Sequence, residues 1–530
     1  MGPPPKTPER PHERSRIPRQ ARPRLGVDTC FANPGTSEMH FVAALDAHPD
    51  LRCILCLFEG GATGAADGYH RMSGRVAATL LHLAPGFGNG FANLHNARKA
   101  GSGVVNILGD HASYHLQYES PLRGDTEGIS AAVSHWTRVS QDAAQVAGDG
   151  AAAVQVARSR GGQIATLILP ANTAWEPAGD VVVVAGPPPA LRRPSLRAVE
   201  AAARALVQPG AALMVDGAAI HSDLSHVAAR IARKTGCRLL APCLVPRIRR
   251  GAGAVRFTRL AYVVEENVAV LAGTTHLVLC GAARPVSFFA YPGKVSLPEP
   301  ADCAVIDLCA PGMDAAWTLQ ALEIAVGAGS ATLGPEEFFR LDLPAVPGGA
   351  MDLARIGQAM AALMPADAIV VDEAITTSRH LAAATETARP HDWLHTPGGA
   401  IGGGLPVAVG AAIACPGRKV LVPTGDGSAM YTLQALWTMA REALDVCVVV
   451  FSNRGYQILR GELANVGVAD VGRNAVRMFD VVEPVLDWVA LARGHGVAAV
   501  RVTDTDEFVA AFAGAMTKKG PFLIEVMCPR

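Results

Sequence analysis

After residue 26 the chain alternates short apolar runs with stretches in which apolar residues recur every three or four positions. VDTCFA (27–32) reads as a strand, NPGTSE as a turn and MHFVAALDA as a helix. Strand CILCLF, helix GGATGAADGYHRM, strand VAATLLHL, helix GFGNGFANLHNARKA and strand GVVNIL follow. Units of this kind predict an α/β fold with a parallel sheet covered on both faces. The alternation resumes in AALMVDG and HLVLCGA, and again through IVVDEA, GLPVAVGAAIA, VLVPTGDG and FLIEVM. Proline-rich breaks separate the three series: residues 170–194, with AGPPPALRRP at their centre, and RLDLPAVPGGAMD near Pro344. The expectation is three Rossmann-like domains with parallel sheets, at 25–180, 195–340 and 350–530.

Three stretches carry candidate chemistry. KVLVPT ends at Gly425-Asp426-Gly427, Met430 to Leu444 recur at helical steps, and VCVVVF then delivers Ser452 and Asn453. Asp426 and Asn453 would thus stand at the carboxyl ends of neighbouring parallel strands, where two hard oxygen ligands converge. The flanking glycines permit close backbone approach, and a helix start presents free N–H groups to an anion. A diphosphate bridged to Mg²⁺ suits such a site; an ordinary βαβ unit is the plainer alternative. Glu59 ends an apolar strand, where burial disfavours a charged carboxylate and suits it to proton exchange. A helix-start carboxylate stabilised by the dipole is the alternative there. GGAIGGGLP (398–406) lets main chain lie against a flat ring.

Composition narrows the setting. The 530 residues are 50% hydrophobic and 18% charged, enough for a large core, and Lys+Arg and Asp+Glu both number 47, which favours neither nucleic acid nor an acidic membrane surface. Residues 1–24 hold seven prolines and a net charge of +5, so disorder is expected there, with an Arg-rich transit peptide as the functional alternative. Eleven cysteines without paired metal spacings read as reduced thiols; Cys53 and Cys56 form a C-x-x-C but read as buried strand residues on opposite faces. No run of eighteen apolar residues occurs, so no membrane span is expected, and the reduced thiols read as those of a cytoplasmic protein.

Gly-Asp-Gly, a helix, an apolar strand and Asn, together with FANPGTSE, FEGGATGAADGYHRMSG and HLAPGFGNGFANLHNA, resemble the thiamine-diphosphate-dependent superfamily. CFANPGTSEMHFVAALD and PVSFFAYPG resemble its acetolactate synthase large-subunit-like branch. The resemblance implies pyrimidine-binding, middle and pyrophosphate-binding domains in that order. It implies Mg²⁺ held by Asp426, Asn453 and the carbonyl of Gly455, with Gly427, Ser428 and Tyr456 at the cofactor. Glu59 would bond N1′ of the aminopyrimidine and Gly399 would accept from its amino group. Ile401 would be the wedge that bends the cofactor, unless it is plain core. Thr376 and Thr377 would donate to the diphosphate, unless they cap a helix. An amphipathic helix usually precedes the first strand in this family; the basic, proline-broken start of this chain departs from that.

Benzoylformate decarboxylase carries a hydroxyl residue and a substrate-contacting histidine where Thr36 and His82 stand, and acetolactate synthases usually lack that histidine. His82 would orient the substrate carboxylate or move a proton, the alternative being a histidine satisfied by hydrogen bonds at a strand end. The position of the decarboxylase's second histidine corresponds to Phe289. His95, His111 and His115 read as structural or rim residues, and Leu459 and Glu462 as the rim of the substrate entrance. A flavin signature is missing, with VRFTRL at 255–260 instead, and Arg284 reads as a surface ion-pair residue, so FAD is compatible with the middle domain but not predicted. The function implied is an acetolactate synthase-like enzyme, decarboxylating and carboligating 2-oxo acids with thiamine diphosphate and Mg²⁺. The alternatives are a benzoylformate-type decarboxylase releasing an aldehyde and, from another class, a non-catalytic partner subunit of the same fold. The implied assembly is a homodimer or homotetramer with active sites at the subunit interface.

Overall fold

Three sheets carry the chain in the order that the alternation predicts. The structure, a computed structural model, describes residues 26–529 apart from 180–182 and 184. The expectation for residues 1–24 lies outside the described residues.

The first sheet comprises Thr29–Ala32 (β1), Arg52–Leu55 (β2), Ala77–Leu81 (β3), Val104–Asp110 (β4), Trp136–Val139 (β5) and Ile164–Pro170 (β6), in spatial order β2-β1-β3-β4-β6-β5 with every pair parallel. The middle sheet takes Ala211–Val215 (β7), Arg238–Ala241 (β8), Thr258–Arg259 (β10), His276–Cys280 (β11) and Ala304–Cys309 (β12), in order β10-β8-β7-β11-β12, again all parallel. The third contains Ile369–Val371 (β13), His391–Leu394 (β14), Val420–Gly425 (β15), Val446–Ser452 (β16), Ala498–Val502 (β17) and Phe522–Met527 (β18). Its order is β17-β18-β16-β15-β13-β14, closed at one edge by Ile248–Arg250 (β9).

That last strand departs from the expected pattern. β9 comes from the middle of the chain and pairs antiparallel with β14, Arg249 opposite Asp392. It covers an edge that would otherwise expose unpaired N–H and C=O groups. Arg247 and Arg249 secure it by pairing with buried Asp392 at 2.9 and 3.5 Å.

Alternation along the strands explains the layering. Val370, Leu421 and Val449 face a buried cluster shared with Leu213 and Val278 of the middle sheet, whereas Val371, Val422 and Val450 face one shared with Phe31, Leu81 and Leu108 of the first. The third sheet is therefore covered on both faces, as its Val-rich strands require. The helices Glu59–Ser73 and Gly404–Ala414 join the first and third units at close range. A Cβ at Gly68 would stand 2.0 Å from the Val407 carbonyl oxygen and one at Gly410 1.9 Å from that of Ala65, so neither position tolerates a side chain.

Some local expectations shift. Pro170 ends β6 and the helix Ala171–Trp175 follows, so the first break starts later than its prolines suggest. All eleven cysteines are free, but Cys53 is exposed and only Cys56, one residue beyond β2, is buried. The helix expected after Gly427 is split into Asp426–Ala429 and Ala435–Arg441. Among the described residues no helix is long and apolar enough to cross a membrane.

Candidate active site

From β13 the chain goes to β14 on one side, and from β15 to β16 and β18 on the other. A reversal of this kind opens a crevice at the carboxyl ends of the two central strands. Asp426 follows β15 there, 3% exposed, and its two oxygens accept the N–H groups of Gly427 at 2.8 Å and Arg454 at 2.7 Å. Burial raises the pKa of this carboxyl, and the same N–H groups work against the rise. Asn453 leaves the adjacent β16, and its Oδ1 accepts from Gly455 N at 3.1 Å. Arg454, between them, is left-handed at φ 58°. The turn that aims its N–H at Asp426 therefore stores strain of the sort found at functional sites. The Tyr456 ring packs on Gly427, where a Cβ would come within 2.5 Å of it, and Ser428 is buried beside them.

The predicted oxygen donors follow the ends of the neighbouring parallel strands β15 and β16. Asp426, Asn453 and the Gly455 main chain supply one carboxylate, one amide oxygen and one carbonyl, a set that fits Mg²⁺ sharing its shell with phosphate oxygens. Among the described residues no group of three or more His, Cys, Asp or Glu could hold a metal ion, and a site of this type does not need one. Thr377 is buried at the N-cap of Ser378–Ala384 yet makes no capping hydrogen bond, so its hydroxyl is not committed to the helix. Ile375, just before Thr376, is left-handed at φ 49°.

The glycine-rich turn lies beside these segments. Gly399 and Gly402 have φ of 73° and 93°, values that glycine adopts without cost. Ile401 is half-buried rather than core. The turn is pinned from the first unit by Asn96, which accepts from Ala400 N at 3.1 Å and donates to its carbonyl at 2.8 Å, and by His95 at 3.1 Å from the Gly398 carbonyl oxygen. His95 is thus structural. From the middle unit the Phe288 ring lies over Gly399, 2.7 Å from where a Cβ would stand, with Phe289 edge-on to it. Tyr262 and Tyr291 donate to Glu462 at 3.0 and 2.7 Å, fastening this loop to the helix Gln457–Asn465, on which Leu459 is 39% exposed. Arg284 pairs with Glu299 at 2.6 Å, the ion-pair role read for it.

The first unit presents a second cluster. Glu59 opens the helix Glu59–Ser73 rather than ending a strand; it is 7% exposed and accepts from Asn89 Nδ2 at 3.0 Å. His82 follows β3, beside the reversal between β1 and β3, and is followed by left-handed Leu83 at φ 50°. Its Nδ1 lies 2.9 Å from Oε2 of buried Glu38 and 3.3 Å from the Ser37 hydroxyl. A Cβ at Gly35 would strike the imidazole at 2.2 Å, so glycine is required for the ring to reach Glu38. Thr36 is exposed, and the hydroxyl beside His82 belongs to its neighbour Ser37. His111 contacts the Ser120 hydroxyl at 3.1 Å and stacks at a tilt with His115.

Four participants escape a reading of motifs: Glu38, Glu373, Asn89 and Asn93. Asn89, Asn93 and Asn96 recur at four and three residues on the helix Leu83–Ala100, a polar stripe detectable in GNGFANLHN. Asn93 donates to the Gly60 carbonyl at 2.8 Å and lies 3.4 Å from that of Gly402, bridging the Glu59 helix to the glycine-rich turn. Among the described residues no hydrogen bond or ion pair joins Glu59 or His82 directly to Asp426 or Asn453.

Parallel sheets whose order reverses beside Asp426 and His82 are α/β frameworks of the kind that bind ligands at the carboxyl ends of their strands. The chain belongs to the thiamine pyrophosphate enzyme family: residues 23–135 match the N-terminal TPP binding domain and residues 374–526 the C-terminal TPP binding domain. It is 48% identical over 507 residues to the Mycobacterium tuberculosis protein IlvX, whose name places it with acetolactate synthase large subunits, covering 95% of this chain and 96% of that one. It is 31% identical over 531 residues to the benzoylformate decarboxylase of Pseudomonas aeruginosa, covering 95% and 96%. Its fold is similar to that of the Rhodococcus jostii thiamine diphosphate-dependent 4-hydroxybenzoylformate decarboxylase, with a TM-score of 0.81 at 23% identity over 96% of this chain and 98% of that one.

Proposed function

We propose that the protein decarboxylates a 2-oxo acid with thiamine diphosphate and Mg²⁺, and that the His82–Glu38 pair delivers the proton that replaces CO₂ on the substrate carbon, so that an aldehyde is released. The observation that carries this reading is the imidazole held 2.9 Å from a buried carboxylate at the end of β3. A carboxylate at Nδ1 fixes that atom as a donor, which leaves Nε2 as the ring's proton-transferring atom.

When bound, the cofactor supplies a nucleophilic carbon and a sink for the electrons released with CO₂. Asp426, Asn453 and the Gly455 carbonyl would hold Mg²⁺, and Thr376, Thr377, Gly427 and Ser428 would face the diphosphate, with Tyr456 alongside. Gly399 would accept the amino hydrogen and Ile401 would support the bend. Glu59, steadied by Asn89, would exchange a proton with the pyrimidine ring. Thr36 or, from its position, Ser37 would contact the substrate carboxylate. The assembly we infer is a homodimer, or a homotetramer, in which a second copy brings the two clusters to one cofactor; sedimentation of the purified protein tests it. The setting we infer is cytoplasmic, with no nucleic acid partner.

Carboligation to an acetolactate-type product is the second reading, favoured by the 48% identity to IlvX. Incubation with Mg²⁺ and thiamine diphosphate on benzoylformate and on pyruvate, with and without FAD, separates the readings. Aldehyde with CO₂ is the expected product. Acetolactate from pyruvate would establish the synthase, and cofactor binding without product from either acid would favour another 2-oxo acid as substrate or a non-catalytic partner.

A further inference from the structure

One buried carboxylate links three of the segments that the cofactor reading assembles in the third unit. Glu373, two residues past β13, is 2% exposed. Its Oε1 accepts from Gly402 N and Gly403 N, both at 2.8 Å, and its Oε2 lies 3.4 Å from the Thr424 hydroxyl, two residues before Asp426. Its main chain forms a parallel bridge with Thr424, and Thr376 and Thr377 follow Ala374 and Ile375 in the same loop. The fit is tight: a Cβ at Gly404 would stand 2.9 Å from Oε2. Desolvation makes such a group expensive and pushes its pKa up to about 7 despite the N–H donors. A carboxylate kept at that cost needs a role that an apolar residue could not fill. Satisfying the first N–H groups of the helix Gly404–Ala414 is the simplest one, but the same oxygens also fix the spacing between three loops.

We propose that Glu373 is a positioning residue: it holds the glycine-rich turn in register with the Thr376–Thr377 and Asp426 segments, so that the pyrimidine and diphosphate ends of thiamine diphosphate meet a preformed site. The inference rests on the cofactor reading above. It places the Gly399 carbonyl and Ile401 by means of a group that itself touches neither substrate nor cofactor.

Two measurements test it. In hydrogen exchange read by mass spectrometry, the peptide spanning 398–404 of the cofactor-free wild-type protein is expected to exchange slowly, and thiamine diphosphate with Mg²⁺ is expected to add little protection. Fast exchange that slows only on adding the cofactor would overturn the proposal, whatever becomes of any variant. In calorimetric titration, Glu373→Gln is expected to weaken thiamine diphosphate about tenfold, the scale of a lost charge-assisted hydrogen bond, while leaving Mg²⁺–pyrophosphate affinity unchanged. A cap for the helix alone would give equal thiamine diphosphate affinities in wild type and Glu373→Gln, and that result would also overturn it. Wild-type protein that binds pyrophosphate but not thiamine diphosphate would overturn the cofactor reading and this inference together.

Discussion

The two carboxylate clusters are secured by different means. Asp426 and Glu373 in the third unit are held by main-chain N–H groups, whereas Glu59 and His82 in the first unit are held by the side chains of Asn89 and Glu38. A main-chain partner cannot be removed without altering the fold; a side-chain partner is one substitution away. Under the proposed assignment the diphosphate end would be fixed by topology, and the reacting end would be adjustable through the side-chain partners of Glu59 and His82.

That contrast can be broken at several points. Replacing Glu59 itself has the largest expected effect: Glu59→Gln should cut turnover by about 10²–10⁴-fold, the usual worth of a proton-transfer group, with the apoprotein still folded; an undiminished rate would refute its assignment. Next, His82→Ala should lower aldehyde release by about 10²-fold, and Glu38→Gln by less. Equal rates for wild type and Glu38→Gln would show that the pair is structural. Asn89→Ala should cost about tenfold through loosened Glu59, a hydrogen bond to a charged group at a partly solvated site, whereas neither Asn89→Ala nor Glu38→Gln should change Mg²⁺-dependent pyrophosphate binding.

A stability effect lies outside both clusters. Buried His391 has its pKa lowered to about 3 by burial, against an ordinary 6.5. The unfolded chain therefore binds the extra proton between these values, so the contribution is present above pH 6.5 and is lost as pH falls toward 3. Urea unfolding should show wild type losing on the order of 1.4 kcal/mol per pH unit through this window relative to His391→Phe; parallel stability curves would contradict it.

The fold was legible because its period-two and helical patterns were clean and its parallel strands nearly all apolar. Asp426, Asn453 and Gly399 could be placed because each stands in a motif whose glycines mark close backbone approach. Glu38 and Glu373 could not, since nothing local distinguishes a buried carboxylate with distant partners from an exposed one. The motif points to Thr36, yet it identifies only a segment; one turn of 3₁₀ helix (Thr36–Glu38) decides that the Ser37 hydroxyl meets His82. The edge strand β9 escaped for a similar reason: IRR carries no period, and its pairing is set by Asp392, far along the chain.

The most direct test of the central claim is a titration of thiamine diphosphate into wild type and Asp426→Ala, each with Mg²⁺ and again with a chelator in excess. Wild type should bind with Mg²⁺ and release the cofactor when the metal is stripped, and Asp426→Ala should bind weakly in both conditions. Equal, metal-independent binding by the two proteins would contradict the placement of the diphosphate at the end of β15.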